Sequence, residues 1–327
     1  MVLFKAARQQ NCNTNYLSLL YIHRMNQLKG LFFFISFLNF GHGIAQETPF
    51  TLRTNIGLAT YYGDLTEKAK IFNQSSTSFS LGIGYDFTDQ IIGRFDFSIM
   101  KLKADDRFNT RTDLINRNLN FTTTLWDITL GGEYEFLNMI SEDYLFTPFL
   151  GIGLGLCHFN PWTYDRTGVK RYLRDYGTEG QGLPSYPERK IYSKYSLFIP
   201  INFGIKYAIN ENIRFVFEVN FRKTFTDYLD DVGNYYPDQS IILSQSLDPT
   251  TTLGLTYRGD EVSSDPYPGV KINRGGYTND FYYTTSIGVS IRLNALSTGG
   301  GNKIRSGRVY RPGGSGRSSL KNPNRVF

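Results

Sequence analysis

Residues 77–87 read TSFSLGIGYDF, and residues 213–222 read IRFVFEVNFR. In both stretches a large apolar side chain occupies every second position, and the positions between hold mainly glycine, serine or charged residues. Successive side chains of a β-strand point to opposite faces, so a period of two indicates strands with one apolar face and one small or polar face. These stretches predict an all-β fold.

Eight such alternating runs follow one another along the chain. All are longer than the usual globular strand of about five or six residues, and each can supply the roughly 9 to 11 residues with which a tilted strand crosses a membrane. The 16% of aromatic residues excludes disorder for most of the chain, and no apolar run approaches the roughly 20 residues of a transmembrane helix. The predicted strands are residues 50–62, 77–87, 91–103, 121–137, 144–158, 195–208, 212–224 and 281–293.

The apolar face of these strands is predicted to point outward. Eight strands enclose only enough space for side chains to fill. The many Phe, Leu and Ile side chains would overfill it, whereas the face rich in glycine and serine fits. A soluble barrel or sandwich with the apolar face inside is the alternative. Aromatic side chains near the run ends, among them Tyr61, Tyr62, Tyr85 and Phe87, are typical of the interfacial girdles of membrane barrels.

The connections between the runs alternate in length. Those after the second, fourth and sixth runs are short, at 88–90, 138–143 and 209–211, whereas those after the fifth and seventh span 159–194 and 225–280. Short turns on one side and long loops on the other are typical of outer-membrane barrels. We therefore predict an eight-stranded antiparallel transmembrane β-barrel of the outer-membrane type, with long extracellular loops and both termini in the periplasm.

The predicted inward face carries basic and acidic residues in equal number. Charges in a narrow interior are costly unless they are paired, so this balance predicts a network of salt bridges across the lumen. A selective channel is the alternative, but eight strands favour a plugged, rigid barrel that shows no stable porin-sized conductance. The residues of the predicted network are Arg53, Asp86, Arg94, Asp96, Asp127, Glu133, Glu135, Lys206, Arg214, Glu218, Arg222 and Arg292.

The N-terminal residues predict an exported chain. Lys29 supplies a positive n-region, residues 31–40 supply an apolar h-region, and Gly43-Ile44-Ala45 places small residues at the positions that a signal peptidase reads. An uncleaved anchor is the alternative. The predicted segments are an upstream extension from a mis-assigned start at 1–24, a signal peptide at 25–45, the barrel at 46–293 and a tail at 294–327.

Residues that carry catalytic or metal chemistry are scarce. Of the three histidines only His158 follows the predicted cleavage site, and of the two cysteines only Cys157 does. A hydrolase triad or a His/Cys metal centre therefore lacks its partners. His158 falls on the outward parity, which is typical of an interfacial ring. We predict no enzymatic activity, no catalytic residue, no metal and no cofactor.

The formal charge of +6 is unevenly placed. The tail is rich in glycine and serine and carries basic residues without any acid, so we predict a flexible basic arm that docks on an acidic periplasmic partner or on the cell wall. A solvated leftover is the alternative, and nucleic acid is not expected as a partner in the cell envelope. The predicted partner-binding residues are Lys303, Arg305, Arg308, Arg311, Arg317, Lys321 and Arg325.

The segment 225–280 is acidic instead and holds two apolar stretches, 241–243 and 253–257. We predict a partly ordered surface loop, with a short hairpin, that is able to contact another protein. The spacing of its acids is not that of a Ca²⁺-binding loop.

Three local motifs stand out: YYGDL at 61–65, TPFLGIG at 147–153 and FTDYLDDV at 225–232. With them the chain resembles, over about residues 50–293, a family of small outer-membrane barrels that includes the PorG-type component of the type IX secretion and gliding machinery. The resemblance implies an eight-stranded barrel without enzymatic activity, which in PorG-type members associates with a periplasmic lipoprotein ring. The basic tail departs from the family pattern. Four residues of the third motif are candidate site residues: Asp227, Tyr228, Asp230 and Asp231.

Three functions are consistent with these features. The first is a non-catalytic barrel that anchors or docks periplasmic machinery, such as lipoproteins of type IX secretion, through its periplasmic turns and basic tail. The second is a structural barrel that tethers the outer membrane to the cell wall. The third is a surface-binding barrel that acts through its long loops. Outer-membrane lipid is a partner in all three.

Overall fold

The computed structural model describes residues 50–66, 73–88, 90–136, 145–210, 212–269, 272–276 and 278–293. The predicted signal peptide and the basic tail lie outside these ranges. Within them, no helix has the length and apolar character needed to cross a bilayer.

Eight long antiparallel strands close into a barrel. Neighbouring strands pair in the order β3-β2-β1-β10-β9-β8-β5-β4, and β3 also pairs with β4, so this sheet has no free edge. The prediction of an eight-stranded barrel is confirmed, and the observed bounds lie within three residues of the predicted runs. The strands are β1 (Phe50–Tyr62), β2 (Ser76–Asp86), β3 (Ile91–Asp105), β4 (Asn120–Glu135), β5 (Phe146–His158), β8 (Tyr195–Ala208), β9 (Ile213–Thr224) and β10 (Phe281–Arg292).

The barrel is apolar outside and polar inside at its turn end. Leu130, Ile152 and Leu154 are 67%, 61% and 68% exposed on the outer wall. The alternate positions, such as Arg53 and Glu133, are only 2% exposed. Charges inside and hydrocarbon side chains outside are the polarity of a membrane-spanning barrel, and a soluble barrel would have the reverse.

Aromatic rings mark both edges of the apolar wall. At the turn end, Tyr85 packs edge-on against Phe87 with ring centroids 4.9 Å apart. At the opposite end, Trp126 stacks on His158 at 5.4 Å. The expectation that Tyr61 belongs to a girdle was wrong: its side chain is 1% exposed and points into the mouth of the barrel, where it hydrogen-bonds to carboxylates. Parity alone could not show that a cap of loops covers that mouth.

The two ends of the barrel differ as predicted. The connections after β2 and β8 are tight turns, in which the Phe87 and Ile209 amides donate to the Ile91 and Ile213 carbonyls at 3.0 Å. The predicted turn at 138–143 lies outside the described residues. Thr51 pairs with Arg292, so the first strand begins and the last strand ends at this same short-turn end.

The opposite end carries folded loops. The loop after β3 contains helix α1 (Thr112–Arg117), and the loop after β5 contains a hairpin of β6 (Trp162–Tyr164) and β7 (Lys170–Tyr172), which extends the sheet beside β4. The loop after β9 contains α2 (Gln239–Gln245) and α3 (Pro249–Thr256).

The short hairpin expected in 225–280 was wrong, since its apolar stretches are helical. Asp238 caps α2 by accepting from the Ser240 amide, and Asp248 caps α3 by accepting from the Thr251 amide. Proline at the first position of α3 has its φ preset for a helix. Capping residues at these positions favour helices over the predicted hairpin.

The outer half of the interior is a hydrophobic core rather than a polar lumen. Leu102, Leu125 and Phe198 point inward, each 0% exposed, and they belong to one buried cluster with Leu229 and Leu255 of the last loop. On β5, a Cβ added at Gly155 would collide with the Phe198 ring, so only glycine leaves the space for this plug. The loops therefore seal the barrel mouth by packing into it.

The outward wall gives a direct test of the membrane-spanning polarity. Ile152→Arg, at the middle of the belt, is expected to lower the free energy of unfolding from liposomes by roughly 2–4 kcal/mol, because a charge would face hydrocarbon. Urea titration of the barrel folded in phosphatidylcholine vesicles measures the loss.

The matched control is Ile191→Arg, since Ile191 is 52% exposed but lies in the loop between β7 and β8. It is expected to change stability by less than about 0.5 kcal/mol. Equal small effects at both positions would mean that Ile152 faces water.

Candidate functional site: the sealed lumen and the loop cap

A buried carboxylate stands at the centre of the lumen. The Glu133 side chain on β4 is 0% exposed and accepts hydrogen bonds from Arg53 of β1 at 3.0 Å and Arg94 of β3 at 2.9 Å. Lys206 of β8 donates to its other oxygen. One carboxylate thus joins cations from three other strands across the barrel, because each sits at an inward position of its strand's alternation.

A second acid shares two of these cations. Glu218 of β9 accepts from Arg53 at 3.0 Å and from Arg94 at 3.2 Å. Asp96 on β3 accepts from the Arg94 Nε at 3.1 Å. Each guanidinium therefore bridges acids on different strands, and such multidentate charge-assisted hydrogen bonds are strong and directional.

The network extends toward both ends of the barrel. Toward the turns, Glu135 accepts from Lys206 at 2.8 Å and Arg214 at 3.0 Å. Asp86 lies 3.6 Å from Arg292 at the rim.

Toward the loops, Asp127 lies 3.0 Å from the Nε of Arg222 and accepts from the Tyr282 hydroxyl at 3.0 Å. The structure thus brings all twelve predicted lumen charges into ion pairs.

Little space remains between these side chains. One void near the turn end, beside Arg53 and Arg214, has a volume of about 20 Å³, and one beside Arg94 and Asn220 has about 10 Å³. A cavity needs roughly 10–15 Å³ by this measure to hold a single water. Together with the Phe198 plug, these side chains fill much of the described lumen.

The loop motif predicted at 227–231 lies at the barrel mouth and is largely buried. The Tyr61 hydroxyl lies 2.6 Å from Asp230 Oδ2 and 2.8 Å from Asp280 Oδ1. The hydroxyl has one proton to donate, so the two carboxyl groups compete for it. Burial, followed by the nearby carboxylates, raises the pKa of both Asp230 and Asp280 well above the usual value.

Asp231 connects two loops. It has a left-handed backbone with φ of 69°, and its carboxylate accepts from Tyr192 at 2.7 Å and from Thr178. Arg274 donates to the Asp231 carbonyl at 2.6 Å and to Glu179 at 3.3 Å. Burial raises the pKa of Glu179 to about 7, although Arg274 opposes the shift.

Arg117 at the end of α1 ties two further loops to this assembly. Its guanidinium pairs with Asp106 at 2.7 Å and donates to the carbonyls of Asp64 at 2.8 Å and Arg274 at 2.6 Å. The loops after β1, β3, β5 and β9 therefore share one buried polar network, which we call the loop cap. Its residues are Tyr61, Asp64, Asp106, Arg117, Thr178, Glu179, Tyr192, Asp227, Tyr228, Asp230, Asp231, Arg274 and Asp280.

The other two motif residues lie at the edge of the cap. Tyr228 stacks on Tyr192 with ring centroids 4.7 Å apart. Asp227 is half-buried, and burial together with the carboxylates of Asp64 and Glu179 raises its pKa to about 8. The third motif is thus a structural element of the cap rather than an exposed binding patch.

Sequence reasoning missed the cations of the cap. Arg117 ends the short helix α1 and Arg274 lies in irregular loop sequence, and at neither position does periodicity indicate which side chains turn inward. The same holds for Glu179. Asp280 is the missed residue that the sequence could most readily have indicated. It directly precedes β10 and lies in the same loop as Asp230. The tail residues predicted to bind a partner lie outside the described residues.

The described residues contain no grouping of three or more His, Cys, Asp or Glu that could hold a metal ion. His158 lies on the outer wall between Trp126 and Tyr195, with ring centroids 5.4 and 4.8 Å away. Cys157 is buried, and its thiol donates to the Ser196 carbonyl at 3.3 Å. Neither side chain contacts a carboxylate of the cap or lumen among the described hydrogen bonds.

Removing the negative charge of Glu133 should lower the free energy of unfolding. Glu133→Gln leaves Arg53, Arg94 and Lys206 with an uncompensated buried charge, and breaking a buried pair in this way costs roughly 3–5 kcal/mol. We expect a loss of that size in urea unfolding from vesicles.

Asp86→Asn is the matched control, because its pair with Arg292 is longer and both side chains are partly exposed, at 17% and 14%. Its expected cost is below about 1 kcal/mol. If both variants unfold at the same urea concentration, the central ion pairs contribute no more than the rim pair.

The cap should loosen as the pH rises. The folded-state pKa values of Glu179 (about 7) and Asp227 (about 8) lie above their usual values. Their contribution to stability is therefore present at low pH and is lost as the pH rises through 7 and 8. Hydrogen exchange of residues 225–269, corrected for intrinsic rates, should show weaker protection at pH 9 than at pH 6.

Asp227→Asn is expected to reduce this pH dependence. Asp175→Asn should not, since that side chain is 55% exposed. Equal protection at both pH values in the unaltered chain would contradict the raised pKa values.

Comparisons with known proteins find, among others, three solved outer-membrane proteins of low similarity to this chain. Neisserial surface protein A, NspA, has 13% identity, covering 75% of this chain and 97% of its own, with a TM-score of 0.38. Ail of Yersinia pestis, in complex with the heparin analogue sucrose octasulfate, has 9% identity, 75% and 99% coverage and a TM-score of 0.36. The N-terminal barrel domain of Pseudomonas aeruginosa OprF has 10% identity, 75% and 100% coverage and a TM-score of 0.30.

At these TM-scores, the fold rests on the strand pairing of the chain itself. No curated protein matches the sequence. A family model does: residues 28–243, more than half of the chain, match the model described as "Domain of unknown function (DUF6089)". The chain therefore belongs to the DUF6089 family.

Proposed function

We propose that this chain is a non-conducting anchor in the outer membrane, which presents attachment points on a sealed barrel. The observation that carries this proposal is the lumen, where the ion pairs around Glu133 and the apolar plug around Phe198 fill the interior. A transport protein of this fold would need a path through which a solute could pass. Here each charged residue of the predicted lumen network forms an ion pair with another residue of that network.

The outer-membrane location is supported by the outward apolar wall and its aromatic edges. Closed antiparallel barrels are the β-structures that satisfy all backbone hydrogen bonds inside a bilayer. In barrels of the outer membrane, short turns face the periplasm and long loops face outside. By that rule the short-turn end, where β1 begins and β10 ends, is periplasmic in our proposal.

Attachment is assigned to the basic tail at 294–327. It follows β10, whose last residues lie at the short-turn end, and its seven basic side chains suit an acidic periplasmic partner. The resemblance to PorG-type barrels favours lipoproteins of a type IX secretion machinery as that partner. Tethering to the cell wall is the alternative use of the same tail.

A second candidate function is surface binding through the loop cap. The cap is folded by buried hydrogen bonds, yet Leu243 of α2 and Leu247 of the α2–α3 connection are 50% and 108% exposed. Exposed leucines on a well-ordered loop favour a protein contact. This function would be independent of the tail.

Catalysis has no place in the proposal. Acid–base and nucleophilic chemistry needs a nucleophile within hydrogen-bonding reach of a base. His158 faces outward among aromatic rings, Glu133 of the lumen is paired with buried cations, and Asp231 of the cap accepts from two hydroxyl groups.

The test uses the tagged chain, purified in mild detergent with and without residues 294–327. We expect periplasmic lipoproteins or secretion components to co-purify only when the tail is present. In planar bilayers, both forms should show no stable porin-sized conductance, because the tail does not form the lumen seal.

Recovery of cell-wall fragments alone would replace the machinery anchor with the tether. The same partners with and without the tail would move the function to the loop cap. Well-resolved, long-lived conductance steps would overturn the sealed lumen. A chain that fractionates away from the outer membrane would overturn the location.

A further inference from the structure

One sector of the outer wall carries a group of lysines just beyond the apolar belt. Along β3 the outward positions are Phe95, Phe97 and Ile99, and the alternation continues into Lys101 and Lys103. Both lysines are exposed. They thus extend the outward face of the belt beyond its edge and do not belong to the lumen network.

The pairing register fixes their height relative to the aromatic edge. Ile99 pairs with Trp126, which marks that edge, while Lys101 pairs with Thr124 and Lys103 with Thr122. Each strand residue adds about 3.3 Å, so the two lysines lie about 7 and 13 Å further along the strand. At the usual strand tilt of about 35–45°, Lys101 lies about 5 Å above this edge, within the headgroup layer, which is on the order of 5–8 Å deep on each side. Lys103 lies about 10 Å above the edge, just outside that layer, and its long side chain can reach back toward it.

The β6–β7 hairpin completes this face. Thr122 also pairs with Trp162, and Trp162 pairs with Tyr172, so Lys103 and these two rings lie in one cross-strand row. In the next row Lys170 pairs with Tyr164. The Lys170 ammonium lies 4.2 Å from the centroid of the Trp162 ring and 5.0 Å from that of Tyr172, which holds the charge in place.

None of the three lysines forms an ion pair with another described residue. The next outward acid on β3, Asp105, is already bound by Arg107 at 2.6 Å. In the lumen, by contrast, every charged residue of the predicted network has an oppositely charged partner. The outward face therefore presents three unneutralised cations beside aromatic rings, directly above the lipid-facing wall.

We propose that this face, formed by Lys101, Lys103, Trp162, Lys170 and Tyr172, binds the phosphate groups of lipid A in the outer leaflet. The inference rests on the proposed outer-membrane location. Two arguments select this occupant: the face is continuous with the apolar wall that would contact the acyl chains, and its charge is complementary to phosphates at headgroup height. Aromatic rings suit the same layer, because they combine an apolar body with a polar edge.

The test compares the full-length chain with the variant Lys101→Ala/Lys103→Ala/Lys170→Ala, both purified in dodecyl maltoside. Native mass spectrometry would measure the binding of bis-phosphorylated lipid A. Each lysine near an anionic surface contributes about a fivefold change in affinity, so we expect the triple variant to bind at least tenfold more weakly. Binding to the unaltered chain should weaken as salt increases.

Lys223→Ala is the matched control. Lys223 is an exposed, outward-facing lysine near the outer end of β9, and its cross-strand partners Ile199 and Phe281 carry no charge. It should change lipid A affinity less than threefold. An equal loss in the control would mean that general surface charge is responsible, which would overturn the assigned face.

Two further lipids test the assigned headgroup. Dephosphorylated lipid A should bind at least tenfold more weakly than the phosphorylated form, and equal binding would overturn phosphate recognition. Phosphatidylglycerol that bound as tightly as lipid A would overturn the assignment to lipid A.

Outer-membrane fractionation of the same variants separates this inference from the proposed function. If all variants reside in the outer membrane but the triple variant retains full lipid A affinity, only the lysine face is wrong. If the unaltered chain is absent from the outer membrane, the proposed location itself fails.

Discussion

The structure depends on one electrostatic constraint: a barrel with an apolar exterior must neutralise inside itself every charge that it places there. Glu133 meets the constraint at the centre, because it binds Arg53, Arg94 and Lys206 at once. Those cations in turn contact Glu218, Asp96 and Glu135. An isolated buried charge would be expensive, whereas a shared network satisfies each donor and acceptor. The ion pairs also fix which strands stand opposite one another, so charge neutrality and barrel shape have the same origin.

Much of this arrangement could be predicted from the sequence, for a physical reason. The period of two is strict in strands 11 to 16 residues long, so the inward set follows from parity. Parity does not give the partners, because cross-lumen distances depend on strand register and on side-chain length. It also could not show that Leu102 and Leu125 line an apolar core, since a cap that covers the mouth is invisible to strand periodicity. The apolar runs at 241–243 and 253–257 suggested a hairpin, whereas the aspartates that precede them, Asp238 and Asp248, are helix N-caps in the structure.

Buried carboxyl groups have different hydrogen-bond donors in the loop cap and in the lumen. In the lumen, cations from several strands meet acids at separations near 3 Å. In the cap, carboxyl groups outnumber nearby cations, and hydroxyl groups of Tyr61, Tyr192 and Thr178 supply the missing donors. The cap is therefore sensitive to protonation, whereas each acid of the predicted lumen network faces a guanidinium or ammonium group.

The position of Tyr61 has a consequence for how the molecule is assembled. Tyr61 lies near the end of the first strand, Asp280 immediately precedes the last, and the two strands join over twelve residue pairs from Thr51–Arg292 to Tyr62–Phe281. The hydroxyl contact can form only when the chain's most distant strands have met. Contacts so far apart in sequence are slow to form because a long loop must first close. The contacts of Tyr61 with Asp230 and Asp280 therefore require a barrel whose first and last strands have already paired, and the final packing of the cap follows that closure.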